Sequence, residues 1–496
     1  MIVALLATPL IGAVLAFVMP WERPQRAILV AAASAHLALV IASIIEPPGS
    51  LIDGWLRADD LGLYVLLVTS VLFWVAAVYA VGYLQREASD PRPDWIDGGL
   101  FSNAPQSVFT GYLLLFLGAM TLVTVSHHLG LLWVGVEATT LTSAPLIYFH
   151  RHHRSLEATW KYLLLGSVGI ALALLGTFFI AVSATSGDGT AVPMVLEDLI
   201  AAADGLDTTW LHAGFLFLLV GYGTKMGLAP LHTWLPDAHS EAPSLVSALM
   251  SGALLNTAFL GILRAYQIIG ATGDSQFASQ LLIGFGLLSM FVATVFMLLQ
   301  NDFKRILAYS SVEHMGIVAL AVGIGGSASF GAIFHVLNHS LAKGLLFLIA
   351  GNALAYFHST SVRGARGMFK VLPISAALWL IGFLAITGTP PFGSFFSEFI
   401  ILQAMFETGR NVVAVAYLVM LALIFTAMTT VVLRMVQGEP PATPDRTATG
   451  TTRREPWLSV LPPALLAIGV LVTGFYLPPA IRTMMDGAAL LIESGG

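Results

Sequence analysis

Apolar runs of about 20 residues, the length that spans a bilayer as α-helix, follow one another along almost the whole chain, each closed by a short polar break. A chain built this way has few other ways to fold, because in lipid the backbone must satisfy its own hydrogen bonds. The runs fall at residues 2–19, 27–45, 60–84, 108–126, 128–149, 157–183, 211–235, 243–269, 277–300, 303–324, 329–357, 372–402, 409–437 and 457–480. They predict an all-α polytopic membrane protein with about 14 transmembrane helices. Composition agrees: 10% of the 496 residues are charged, against about 25% in soluble domains. The first run lacks a basic leader and a small-residue cleavage motif and is followed by many more runs, so it reads as a span rather than a secretion signal.

The basic residues orient the spans. If the loops after odd-numbered spans face the cytoplasm, they hold Arg23, Arg26, Arg86, Arg92, Arg151, Arg154, Lys304, Arg305, Arg363, Arg366, Lys370, Arg434, Arg446, Arg453 and Arg454. The opposite side holds Arg57, Arg264, Arg410 and Arg482. That asymmetry fits the positive-inside rule with both termini outside. The acidic loops near 46–60 and 184–210, which include Asp59, Asp188 and Glu197, then also lie outside. The stretch 438–456 reads as a cytoplasmic linker before the last span.

Two spans carry the means to break a helix. The seventh contains Gly221, Gly223, Gly227, Pro230 and Pro236, and the twelfth contains Gly388, Pro390, Pro391 and Gly393. Proline removes a backbone donor and clashes with the preceding turn. Interruptions are expected near 228–230 and 388–393. Paired interrupted spans in corresponding halves mark inverted-repeat transporters. The chain accordingly divides into residues 1–107 (the first three spans), 108–270 (spans 4–8), 271–437 (spans 9–13) and 438–496 (linker and last span).

Ionisable residues inside the runs are the functional candidates. A charge at membrane depth costs about 2.5 to 17 kcal/mol depending on how it is measured. Such groups persist where they move charge, bind ions or pair with one another. Glu137 lies in the fifth run and Lys225 in the seventh, where they could form a pair that exchanges protons as its separation changes, or a static pair that fixes packing. Lys161 sits about one turn inside the sixth run, where it could join a path or extend to the interface. His232 and His239 frame the end of the seventh run. His335, His339 and Lys343 recur every four residues and so share one face of the eleventh. Imidazoles and an amine in one stripe suit a hydrated proton wire, since histidine titrates near neutrality. A metal site there is disfavoured, because no HExxH motif is present and a lysine is the next group on that face. Glu313 and His314 in the tenth run could link the two units or pair with each other, and Glu398 could be the terminal group of the second unit. His127, His128, His150, His152 and His153 fall at run ends and read as solvated or interfacial.

The blocks WVGVEATTLTSAPLIYFHR, GYGTKMGLAPLHTWLPDAHSEAPSLVSALMSG, NDFKRILAYSSVEHMGI and FHVLNHSLAKGLLFLIAGN resemble the proton-translocating antiporter-like subunits of respiratory complex I, Mrp antiporters and membrane-bound hydrogenases. Their wording is similar in particular to component F of hydrogenase-4 and formate hydrogenlyase-type complexes. The resemblance covers roughly residues 60–435. It implies fourteen helices, two inverted five-helix halves (helices 4–8 and 9–13) with helices 7 and 12 broken, and a hydrophilic axis. That axis maps onto Glu137, Lys225, His335, His339, Lys343 and Glu398. Two departures stand out: Asn256 occupies the eighth helix where many relatives carry lysine or histidine, and Glu398 takes a position that is lysine in some relatives.

The resemblance further implies a multi-pass subunit of a prokaryotic inner membrane complex, with other membrane subunits and lipid around it. A peripheral iron–sulfur arm would be carried by other chains. Alternatives are a complex I subunit, an Mrp-type cation/proton antiporter subunit without redox chemistry, and a scaffold with a silent path. With no cysteine, no nucleotide-binding glycine fingerprint and no sizeable soluble domain, no redox cofactor is expected on this chain, and no nucleic-acid partner.

Overall fold

The computed structural model describes residues 1–87, 92–93, 100–185, 191–441 and 455–493. It is helical apart from a two-residue strand pair, β1 (Arg92–Pro93) and β2 (Leu100–Phe101), and isolated bridges. The N-terminal helices are α1 (Ile2–Val18), α2 (Glu22–Ile45) and α3 (Asp60–Arg86). Next come α4 (Gln106–Val125), α5 (Leu129–Ile147), α6 (His153–Ser183), the short α7 (Leu196–Ala201), α8 (Thr208–Met226), α9 (Trp234–Glu241), α10 (Ser244–Leu249) and α11 (Leu255–Ala271). A π turn at Met250–Leu254 joins α10 to α11. Then follow α12 (Ser275–Leu299), α13 (Phe303–Ile324), α14 (Ser327–Phe357), the one-turn α15 (Met368–Val371), α16 (Pro373–Ile386), α17 (Gly393–Glu407) and α18 (Asn411–Val436). The chain closes with α19 (Trp457–Phe475) and α20 (Pro479–Glu493).

Among the described residues, eleven helices are long and apolar enough to cross a membrane, and α1 and α16 are shorter apolar helices. Side chains cap several starts. Asp59, Asp207 and Asp302 accept backbone N–H groups at the N-termini of α3, α8 and α13, where the helix dipole favours a carboxylate.

Burial sorts the helices into an inner and an outer set. The α10–α11 span is wholly enclosed over its apolar window, and α13 and α14 are 94% enclosed, whereas α2, α18 and α19 bury only a third. The polar residues of the inner set therefore meet protein, while the outer helices turn Val, Leu and Phe outward, as lipid requires. Close approach is set by small residues. A Cβ on Gly221 of α8 would lie 2.6 Å from the Gly169 carbonyl of α6, and one on Gly286 of α12 would lie 2.7 Å from the Gly316 carbonyl of α13.

Both expected interruptions are present. Helix α8 stops at Gly227, held at φ 87°, and helical structure resumes at Trp234. The freed Thr224 carbonyl accepts from the Trp234 indole at 2.8 Å, and the Ala229 N–H donates to Ser289 Oγ at 2.9 Å. Protein groups thus replace the lost helical bonds, as the absence of water in lipid demands. The second interruption separates α16 from α17, with Gly388 at φ 61°. The Ala229–Pro230 and Pro390–Pro391 peptides are cis.

Three expectations need correction. Lys304, counted as a loop cation, is buried in the first turn of α13 and donates to the carbonyls of Ser240 and Ala242 at 2.8 and 2.7 Å. It thereby satisfies the end of α9. Arg264, counted as an outer loop residue, is buried within α11. The chain after α19 forms one more helix, α20, whose Met484, Met485, Ala488 and Ile492 are buried while Leu490 is exposed. Asp188, Arg446, Arg453, Arg454 and most of the 438–456 linker lie outside the described residues, as does the side chain of Arg92.

Candidate functional site: buried ionisable groups at two helix interruptions

The first cluster forms where α8 ends. Lys225, 1% exposed, occupies the last turn of α8. Its Nζ donates to Thr140 Oγ1 of α5 at 2.8 Å and to the hydroxyl of Tyr162 of α6, which in turn bonds Ser143. The same amine lies 4.3 Å from the Tyr162 ring centroid and 5.9 Å from that of Trp234. Hydroxyls and aromatic faces thus replace the water that an ammonium needs.

Glu137 sits one turn before Thr140 on α5. It is half-buried, and its Oε2 is enclosed without a partner. The carboxylate is in electrostatic reach of Lys225, but among the described residues the two make no ion pair. The two residues therefore approach each other, as the sequence suggests, without forming the direct pair. Lys161 is adjacent to Tyr162 yet points elsewhere. It is half-exposed and pairs with Glu157 at 2.7 Å and Asp237 at 2.9 Å, and Asp237 also holds Arg305 at 2.6 Å. His232 fills the interruption itself, buried with its ring 6.3 Å from Tyr309 and 6.5 Å from Phe296.

Between the clusters lies hydrogen-bonded but uncharged ground. Asn256 donates to the Gly252 carbonyl at 2.7 Å and to Ser340 Oγ of α14 at 2.8 Å, and Ser251 bonds Ser311 at 2.7 Å. The π turn supplies this close approach: a Cβ on Gly252 would lie 3.0 Å from the Ser340 carbonyl. The Oδ1 of Asn256 and both ring nitrogens of nearby-numbered His239 are enclosed with no hydrogen-bond partner.

The second cluster joins α13, α14 and α17. Lys343 is fully buried and donates to the Leu307 carbonyl at 2.7 Å. His314 Nδ1 and His335 Nε2 are 2.8 Å apart, and His335 Nδ1 lies 2.9 Å from Ser397 Oγ. His314 Nε2 faces Glu313 Oε2 at 3.9 Å. The His339 ring lies 5.2 Å from that of His314, with both of its nitrogens unpartnered. Glu398, next to Ser397, is buried against Gly388, where any Cβ would strike its carboxylate. The helical stripe read from the sequence is thus gathered with Glu313, His314 and Glu398 into one buried group.

One set of side chains in this cluster has the make-up of a metal site. Among the described residues, His314, His335 and Glu398 have ligand atoms within 4.8 Å of one another. The two imidazoles, however, already lie at the distance of a shared N–H···N hydrogen bond. That arrangement suits a proton better than a cation.

A further charged network lies at the ends of the spans. Arg264 grips Asp59 with both terminal nitrogens at 2.6 and 2.7 Å. His127 bonds Glu197 at 2.8 Å and lies 3.2 Å from Arg264, and Glu197 meets Arg57 at 2.9 Å. Burial alone would raise the Asp59 carboxyl, but Arg264 and His127 hold it well below the usual carboxylate range. Glu197 is likewise held low against its burial by His127 and Arg57.

Sequence reading missed Thr140, Tyr162 and Ser397, because hydroxyls are ordinary in membrane helices and only their convergence on an ionisable group marks them. It also missed the buried His36, held between Ser70 and Thr121 at 2.9 and 3.0 Å. His36 sits in a run whose other residues gave no signal.

Buried, ionisable side chains at two helix interruptions inside an apolar bundle define a multi-pass membrane protein built around charge rather than around a soluble ligand. The chain belongs to the NADH:quinone oxidoreductase/Mrp antiporter transmembrane family, whose model matches residues 126–426. It is an antiporter-like, proton-translocating membrane subunit. It is similar to a hydrogenase-4 component F homolog of Methylacidiphilum infernorum (isolate V4), with 35% identity over 454 residues covering 90% of each chain. Its fold matches a subunit of the archaeal membrane-bound sulfane sulfur reductase, with TM-score 0.85 at 21% identity over 99% of this chain and 97% of that one. It also matches a chain of the Mrp complex from Dietzia sp. DQ12-45-1b, with TM-score 0.84 at 19% identity over 100% and 99%. Both solved relatives are parts of multisubunit membrane assemblies.

Proposed function

We propose that this chain conducts protons within a redox-driven, hydrogenase-4-like membrane complex of a prokaryotic inner membrane. The carrying observation is the pair of buried clusters. Lys225 with Glu137, and Lys343 with Glu313, His314, His335, His339 and Glu398, each sit beside a helix interruption. A lysine enclosed in an apolar bundle is expensive unless its proton is used. In this reading Glu137 and Lys225 take up and release a proton in the first half, and His232 and the Asn256 region connect the halves. The histidines, Lys343 and Glu398 deliver it in the second. Lys161, with Glu157 and Asp237, serves at the cytoplasmic edge of the first half.

The same reading takes the chain as fourteen spans with both termini outside. Residues 108–270 and 271–437 are its inverted halves, flanked by 1–107 and 438–496. The broken runs α8–α9 and α16–α17 count as the seventh and twelfth spans. The supporting facts are a break in the fourth element of each five-span unit and a positive-φ glycine at each break. Energy for uphill movement comes from an iron–sulfur arm on other subunits, since this chain has no cysteine to hold clusters.

The test is vesicle acidification by the whole complex during turnover, compared with the purified chain in liposomes. Turnover-driven acidification abolished by Glu137→Gln supports the reading. Robust sodium-driven proton exchange by the isolated chain would replace it with a stand-alone antiporter.

A further inference from the structure

The hydroxyl of Ser397 has one hydrogen and two neighbours: it lies 2.9 Å from the Ser394 carbonyl and 2.9 Å from His335 Nδ1. A carbonyl only accepts, so a Ser397 O–H directed at Ser394 leaves its oxygen as the acceptor toward the imidazole. His335 must then carry its hydrogen on Nδ1. In a neutral ring that exposes the Nε2 lone pair to His314 Nδ1, 2.8 Å away, and His314 Nδ1–H must be the donor. A neutral His314 in turn presents a bare Nε2 to Glu313, whose Oε2 is enclosed and otherwise unpartnered. With the O–H directed at Ser394, one hydroxyl sets both tautomers.

We infer that Ser397 is a positioning residue that orients a two-imidazole proton wire from Glu313 through His314 to His335, ending beside Glu398. This rests on the proton-conducting reading above. The transfer balances. As the Glu313 O–H breaks, its proton bonds His314 Nε2, and as the His314 Nδ1–H breaks, that proton bonds His335 Nε2. Glu313 is left as a carboxylate, His335 as an imidazolium beside the Glu398 carboxyl, and His314 neutral with its hydrogen now on Nε2. The 3.9 Å between Glu313 and His314 exceeds a hydrogen bond and is closed by a small side-chain shift or one bridging water. His314 must return to its first tautomer before the next proton passes, which makes the wire directional within one cycle.

Another acceptor near the rings, the Ile386 carbonyl, meets His314 rather than His335. Both His339 nitrogens lack partners, and Lys343 is engaged with the Leu307 carbonyl. Among the described residues, Ser397 makes the hydrogen bond that ties these rings to α17, the helix that begins after the second interruption, so movement of that helix would change the tautomer and open or close the wire.

The test uses the intact complex in vesicles, with Ser397→Ala, Ser397→Thr and His335→Gln. Ser397→Ala is expected to slow turnover-driven acidification by ~10-fold or more, a loss smaller than that of a proton-transfer group itself. Electron transfer in uncoupled vesicles should stay unchanged, and Ser397→Thr should restore acidification to within about twofold. Nitrogen-15 NMR of histidine-labelled complex, with His335→Gln to assign the resonance, should find the neutral His335 hydrogen on Nδ1 in the native chain and lost from Nδ1 in Ser397→Ala. A native His335 protonated on Nε2, or wild-type acidification by Ser397→Ala, overturns the wire. A native complex that turns over without acidifying overturns the proton-conducting reading itself, which separates the two failures.

Discussion

The two buried clusters hold a lysine each and treat it differently. Lys225 is surrounded by side-chain hydroxyls and aromatic faces, with a carboxylate near but not bonded. Lys343 rests on a backbone carbonyl, and the hydrogen bonding around it belongs to two imidazoles and a serine. The first arrangement solvates an ammonium with hydroxyls and ring faces, which gives a proton on Lys225 a defined resting place before its release. The second offers donors and acceptors in series. Under the proposed reading, two similar helix breaks serve as a holding site in one cluster and a relay in the other, and the difference lies in which groups surround the amine.

The sharpest way to break this contrast is to remove the holding site. Lys225→Met should reduce turnover-driven acidification to background, a loss of ~100-fold or more, while the complex still assembles and transfers electrons when uncoupled. Retained acidification would mean that protons enter the second half by another route. The next largest effect calibrates the comparison with a pair that serves structure. Asp59→Asn leaves buried Arg264 without its carboxylate, a loss of about 3–5 kcal/mol in stability. It should lower the thermal transition of the purified complex yet leave acidification per assembled complex intact.

The Asp59 carboxyl is held low in the fold, so its stabilisation is complete above the unfolded value near 3.9. It is lost as pH falls below that value toward the folded one. Native complex should therefore lose thermal stability below about pH 4, and Asp59→Asn should lose the part of that slope due to this group.

In the second half, His339→Ala should slow acidification several-fold, roughly 10-fold at most, with uncoupled electron transfer unaffected. An equal loss of both activities would make His339 a packing residue. The smallest effect belongs to Tyr162→Phe, which removes one of the two hydroxyls on Lys225 and keeps the ring. A loss of about 1–3 kcal/mol in holding the ammonium should appear as a shifted pH profile of acidification rather than as its abolition.

Much of this was legible beforehand. The membrane class, the positions of the apolar helices and both interruptions follow from local rules: length against bilayer thickness, and proline and glycine against helical bonding. The stripe of His335, His339 and Lys343 follows from helical spacing. What could not be read was which charge meets which partner. Lys161 and Tyr162 are neighbours in sequence, yet one faces outward to Glu157 and Asp237 while the other receives Lys225. Lys304 and Arg264 look like loop cations because they sit near run ends, and both are buried in helices against acceptors distant in sequence.

Sequence alone thus determined that charges would be enclosed in a helical bundle, because periodicity and hydrophobicity act over a few residues. Tertiary structure alone decided that Glu137 stands off from Lys225 and that Ser397 meets His335, which meets His314. Those relations are set by distances of a few ångströms between helices that lie tens to hundreds of residues apart in the chain, where no local pattern reaches.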